Sequence, residues 1–170
     1  VRLTGQYDFH KTEDESLGIL GGIKFPTGDT DRRNPAGNLF EVEEQPGSGS
    51  DDYLAGLVYN KNFRHWNLMA NTVYSLKTEG ARGYEFGDLW SSSVFLDYQP
   101  EGERWKNWRP GIVANLQHER QHRDDGVSID DSGGTTFFIG PELSFIPKDD
   151  IKVFANVLFP IYQNLGGVHQ

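Results

Sequence analysis

The stretch Trp66–Lys77, WNLMANTVYSLK, decides the fold. Every second residue is apolar or nearly so: Trp66, Leu68, Ala70, Thr72, Tyr74 and Leu76. Between them stand Asn67, Asn71, Ser75 and Lys77, with Met69 and Val73 as exceptions. A period of two means a β-strand with one apolar and one polar face. The apolar face points either into a protein core or out to a surrounding hydrocarbon, and the rest of the chain bears on which.

Seven more segments share the period. Val1–Lys11 sets Val1, Leu3, Tyr7 and Phe9 against Arg2, Thr4, Gln6, Asp8 and His10. Leu17–Phe25 carries Leu17, Ile19, Ile23 and Phe25 on one side, and Asp52–Asn62 carries Tyr53, Ala55, Leu57 and Tyr59. Leu89–Tyr98, Gly111–Arg120, Thr136–Ile146 and Ile151–Tyr162 follow the same rule. The third and eighth segments are the least clean, because Leu54, Val58, Phe154 and Leu158 fall on the polar side. Short connections (KTEDES, FRH, PKDD and the longer PEGERWKNW) alternate with long ones: residues 26–50, TEGARGYEFGD and QHRDDGVSIDDSGG. Such alternation marks outer-membrane barrels, whose outer loops are long and whose periplasmic turns are short.

Two features favour hydrocarbon outside. Rings on the apolar face sit near strand ends: Tyr53 with Tyr59, Trp66 with Tyr74, Trp90 with Tyr98, Phe137 with Phe145, and Phe159 on the last strand. Pairs six to eight residues apart on tilted strands span roughly 15–20 Å, approaching an apolar band flanked by aromatic girdles. The polar face is rich in small amides and hydroxyls, which suit a crowded wet lumen. Its expected members are Arg2, Asp8, Lys24, Asn67, Asn71, Asp97, Asn115, Gln117, Glu119, Glu142, Lys152 and Asn156, with Lys77 nearby. Their mixed signs fit either a cross-barrel ion network that stiffens the pore or a selectivity lining.

Composition removes several functions. There is no Cys among the 170 residues, which excludes thiolate catalysis, disulfides and Cys-ligated metals. A net charge of -9 argues against nucleic-acid binding. No apolar run reaches the length of a membrane-spanning helix.

The expected fold is therefore all-β: a single domain over residues 1–170, an antiparallel up-and-down transmembrane β-barrel with about eight strands in this segment. In hydrocarbon an open strand edge has no water to satisfy it, so the sheet must close. With short turns periplasmic, both ends of this segment lie at the cell surface. Complete barrels have even strand counts, so strands are expected before Val1 and after Gln170, in a barrel of about ten strands or more.

Two segments resemble a known family. GGIKFPTGDTD followed by QPGSGSDDYLAGLVYNKNF, and FPIYQNLGG near the end, are similar to the outer-membrane barrel family labelled "MetA-pathway of phenol degradation", in which a PTG turn ends one strand and a QxGtGS segment opens the next. The resemblance implies roughly twelve strands and passage of small, often hydrophobic or aromatic, compounds across the outer membrane of a Gram-negative bacterium. It carries over no catalytic residue.

Other candidates read as structure. Asp124, Asp125, Asp130 and Asp131 crowd one loop, and oxygen-rich loops can bind Ca²⁺. Their spacing is not that of an EF-hand, so a solvated acidic loop is the preferred reading, as it is for Glu41, Glu43 and Glu44. His118 and His122, four apart on a strand, stand about 13 Å apart, too far to share a metal. They read as an interfacial pair. The sequence thus predicts a porin-like channel for small solutes with outer-membrane lipid as its surroundings, no cofactor and no enzymatic activity. Two rivals are a structural barrel partnering another protein in an outer-membrane assembly and a soluble ligand-binding barrel.

Overall fold

The computed structural model describes residues 1–102, 107–148 and 151–166. Part of the PEGERWKNW and PKDD turns and the end of the LGGVHQ tail thus lie outside the described residues. Among the described residues twelve strands run in chain order: β1 (Arg2–Lys11), β2 (Glu15–Lys24), β3 (Asp52–Phe63), β4 (Trp66–Leu76), β5 (Tyr84–Glu85), β6 (Leu89–Tyr98), β7 (Trp108–Glu119), β8 (Arg123–Asp124), β9 (Val127–Ser128), β10 (Gly134–Lys148), β11 (Ile151–Asn156) and β12 (Phe159–Leu165). The short strands β5, β8 and β9 form a separate three-stranded sheet within the loops. The others form one antiparallel meander, β1-β2-β3-β4-β6-β7-β10, whose last strand pairs with both β11 and β12.

β11 and β12 are one ribbon interrupted by chemistry. Pro141 of β10 accepts a bond from the Val157 amide at 3.2 Å but has no N–H to return one. The ladder lapses there and resumes at Phe159, opposite Ile139. The eight alternating segments of the sequence are thus eight ribbons. Among the described residues the register shifts at three places: between Phe145 and Lys148 of β10, in β12, where Phe159 and Tyr162 both oppose apolar-side residues, and in β1, where a bulge between Asp8 and His10 sets His10 opposite Leu17. His10, expected on the polar face, therefore joins the apolar side, because one extra residue reverses the alternation beyond it.

Among the described residues β1 and the β11–β12 ribbon are edges and do not pair with each other. The sheet nonetheless curls toward its polar face. Three strand spacings separate β6 from β11, about 14 Å on a flat sheet. Side chains stand roughly perpendicular to a sheet, yet Lys152 Nζ lies 3.2 Å from Asp97 Oδ2.

The burial pattern inverts that of a water-soluble domain. Among the described residues only Leu54, Tyr84 and Val113 are buried hydrophobic ones, while Ser50, Asp52, Ser75, Asp97, Ser132, Glu142 and Ser144 are buried polar ones. Ile19, Tyr53, Leu57, Trp90, Val94, Ile112, Leu143 and Phe159 are exposed.

Candidate functional site

Residues paired across antiparallel strands share a face, so the register sorts every sequence-predicted residue. One cross-strand row reads Asp8–Gly18–Val58–Asn71–Ser93–Asn115–Phe138. A second reads Asn62–Asn67–Asp97–Gly111–Glu142–Asn156. Arg2 opposes Lys24, Gln117 opposes Ser91, and Glu119 opposes Leu89. With Lys152 bonded to Asp97, all twelve expected members stand on the polar face. The nine rings fall on the opposite face. Trp66 packs on Tyr98 with centroids 4.9 Å apart, and Phe145 on Trp108 at 4.7 Å, both beside the short turns. Tyr74 opposes Trp90 toward the long loops, whereas Phe159 pairs with Ile139 within its ribbon. Polar atoms on the apolar face bond one another: Trp90 Nε1 donates to Thr72 Oγ1 at 2.7 Å, and Thr72 shares a bond with Ser92 at 2.8 Å.

At the long-loop end, the polar face carries an ion cluster that the sequence only half revealed. Lys24 Nζ and Lys77 Nζ lie 2.9 and 3.0 Å from Asp52 Oδ2, and the carboxylate is 2% exposed. Ser50 donates to the other oxygen at 2.8 Å, and Lys24 also donates to Ser48. The segment that delivers these serines is pinched at its base. A Cβ on Gly28 would stand 2.6 Å from Gly47 Cα, so only glycine lets the two strands of the loop touch. The PTG and QPGSGS stretches therefore meet in space and seat Ser48 and Ser50 on the lysine. Asp52 and the serines were missed because a loop of residues 25–51 hides the register that puts Asp52 opposite Lys24.

A second cluster lies toward the short turns. Lys152 Nζ is 3.2 Å from Asp97 Oδ2 and 3.7 Å from Glu142 Oε1, and Ser144 donates to Glu142 at 3.1 Å. Both carboxylates are 2% exposed, against 36% for the lysine. Gly111 sits between them in the register, and a Cβ there would fall 2.4 Å from Asp97 Oδ1. Asp97 Oδ1 and Glu142 Oε2 have no protein partner among the described residues. Any side chain at Gly111 would displace the Asp97 carboxylate from its place beside Lys152.

The three long loops are laced together. Tyr84, on β5, donates to Glu43, and its hydroxyl lies 2.7 Å from His122 Nδ1. His122 also faces Glu43 at 3.1 Å and Glu119 at 3.3 Å. Burial, then the bond to Glu43, pushes the Tyr84 hydroxyl above the usual tyrosine range, which keeps it a donor. Asp88, in the loop before β6, gathers the Tyr74 hydroxyl at 2.6 Å, the Lys77 amide at 2.9 Å and Arg120 at 3.3 Å. Burial raises that carboxyl, but these bonds outweigh it and hold it below the usual carboxylate range.

One expectation is corrected here. His122 lies beyond the end of β7 in a loop and not on a strand with His118, which bonds Thr135 on the apolar side. Glu43 is exposed, as a solvated acidic loop implies, and also ties two loops through Tyr84 and His122. Asp124, Asp125, Asp130 and Asp131 are all exposed, and among the described residues no group of three or more His, Asp or Glu is placed to hold a metal ion.

Tyr84→Phe is expected to loosen this lacing without unfolding the sheet. Losing a buried donor costs about 1–2 kcal/mol. Amide exchange in residues 41–45 and 120–124 should then quicken roughly tenfold, with the ladders of β3 and β4 unchanged. Unaltered exchange in both loops would show that the tyrosine does not hold them.

The fold and its polar face define a class: an antiparallel meander with one exposed apolar face, buried charge on the opposite face and interlocked long loops. The chain belongs to the family described as "Putative MetA-pathway of phenol degradation", which it matches over residues 1–163. A search of curated proteins finds no match.

Proposed function

We propose that the chain forms part of an outer-membrane β-barrel that admits small solutes through a polar lumen, and that it performs no catalysis. The observation that carries this reading is the inverted burial. Leu57 and Ile112 are about half exposed while Asp52, Asp97 and Ser144 are almost wholly enclosed. In water this arrangement forgoes the apolar burial that stabilises a domain. In a bilayer the apolar face is covered by acyl chains and the charges line an aqueous interior. The two edges left unpaired among the described residues support closure of the sheet in a bilayer, since hydrocarbon leaves unpaired edge groups unsatisfied. On this reading the short turns face the periplasm and the laced loops face outward.

The test is liposome swelling. Protein reconstituted in vesicles should let small neutral solutes such as arabinose enter, with rates falling as solute size grows. Vesicles that swell no faster than protein-free ones would reject the channel. A protein that stays dispersed and monomeric without detergent would reject the barrel.

A further inference from the structure

We infer that the cavity beneath the long loops binds a small organic carboxylate by its charged end, with the apolar remainder of the molecule held against aromatic rings; this rests on the channel reading for its route of entry but not for its binding chemistry. The cavity measures about 470 Å³ and is lined by Arg2, Lys24, Lys77, Asp52, Phe25 and Phe86 among others. That size lies within the usual range for a small-molecule site. Among the described residues three cationic side chains line it against a single acid, in a chain whose net charge is -9.

The cations are not equivalent. Lys24 and Lys77 are both occupied by Asp52. Arg2 stands directly opposite Lys24 in the β1–β2 ladder and has no hydrogen-bond or ion-pair partner among the described residues. Like charges placed opposite each other on a sheet repel, and an anion between them reverses the sign of that interaction. A guanidinium fork matches the two oxygens of a carboxylate and holds them in a bidentate grip. Phe25 and Phe86, also in the cavity wall, offer ring surface to an apolar tail that a bare inorganic anion does not have.

Calorimetry in detergent with benzoate, its neutral counterpart benzamide and inorganic phosphate tests this directly. Benzoate should bind at least about tenfold more tightly than benzamide, and Arg2→Gln should weaken benzoate about tenfold while leaving benzamide unchanged. Glutamine keeps a polar side chain of similar reach at this position of the β1–β2 ladder, so the variant should fold, and heat-modifiable mobility on gels provides the check. Equal binding of benzoate and benzamide, or benzoate binding unchanged by Arg2→Gln, overturns the inference and leaves the channel intact. Phosphate binding as tightly as benzoate also overturns it, since the rings would then contribute nothing. Arg2-dependent benzoate binding in a protein that swells no vesicles supports the site while removing the channel.

Discussion

Leu57→Arg is expected to block insertion into lipid vesicles, whereas Asn71→Arg should insert. Leu57 lies mid-way along β3, 49% exposed, between Ile19 and Thr72 on the apolar face. An arginine on a barrel's outer surface at the bilayer midplane costs about 2–4 kcal/mol, a large part of the stability of a domain this size. Asn71 is opposite Val58 and Ser93 on the other face, where water is available to a guanidinium. Heat-modifiable mobility on gels, read after refolding into vesicles, checks both. Insertion of both variants, or failure of both, would mean that the two faces do not meet different solvents.

The second large effect falls on Lys152. Lys152→Met removes the cation shared by Asp97 and Glu142 and leaves two enclosed carboxylates without a counter-charge. Breaking a buried pair on one side typically costs 3–5 kcal/mol. The lysine is 36% exposed and some water reaches it, so about 3 kcal/mol is the expected loss. The midpoint of urea unfolding in vesicles should drop accordingly. Adding Asp97→Asn and Glu142→Gln should recover most of the loss, because the amides keep the shape without the charge. A single variant as stable as the parent would show that the cluster sits in open water and carries no stability.

Strand identity was legible because alternation is local. Trp66–Lys77 declares its two faces whatever it pairs with, and the same rule phased the twelve polar residues and nine rings onto opposite sides. It failed where the alternation itself breaks. The bulge at Phe9 moves His10 across the sheet, and nothing in VRLTGQYDFHK marks the extra residue. His122 was misplaced for a related reason. The period was extended past Glu119, where β7 stops and the chain turns to meet Tyr84. The pairing of Asp52 with Lys24 spans a loop of residues 25–51, and local pattern cannot measure register across so long a connection. The Glu43–Tyr84–His122 tie joins three loops distant in sequence, so no single stretch announces it.

By itself the sequence determined the all-β class, the eight long ribbons and, away from the bulges, which side chain stands on which face, because side-chain direction in a strand is a property of neighbouring residues. Tertiary structure alone decided which charges meet: that Lys77 and Lys24 share Asp52, that Lys152 reaches Asp97 across the curled sheet, and that Arg2 faces a cavity with no partner among the described residues. Ion pairing depends on distances of a few ångströms between remote segments, and those are set by register, sheet curvature and loop closure rather than by the order of residues along any one strand.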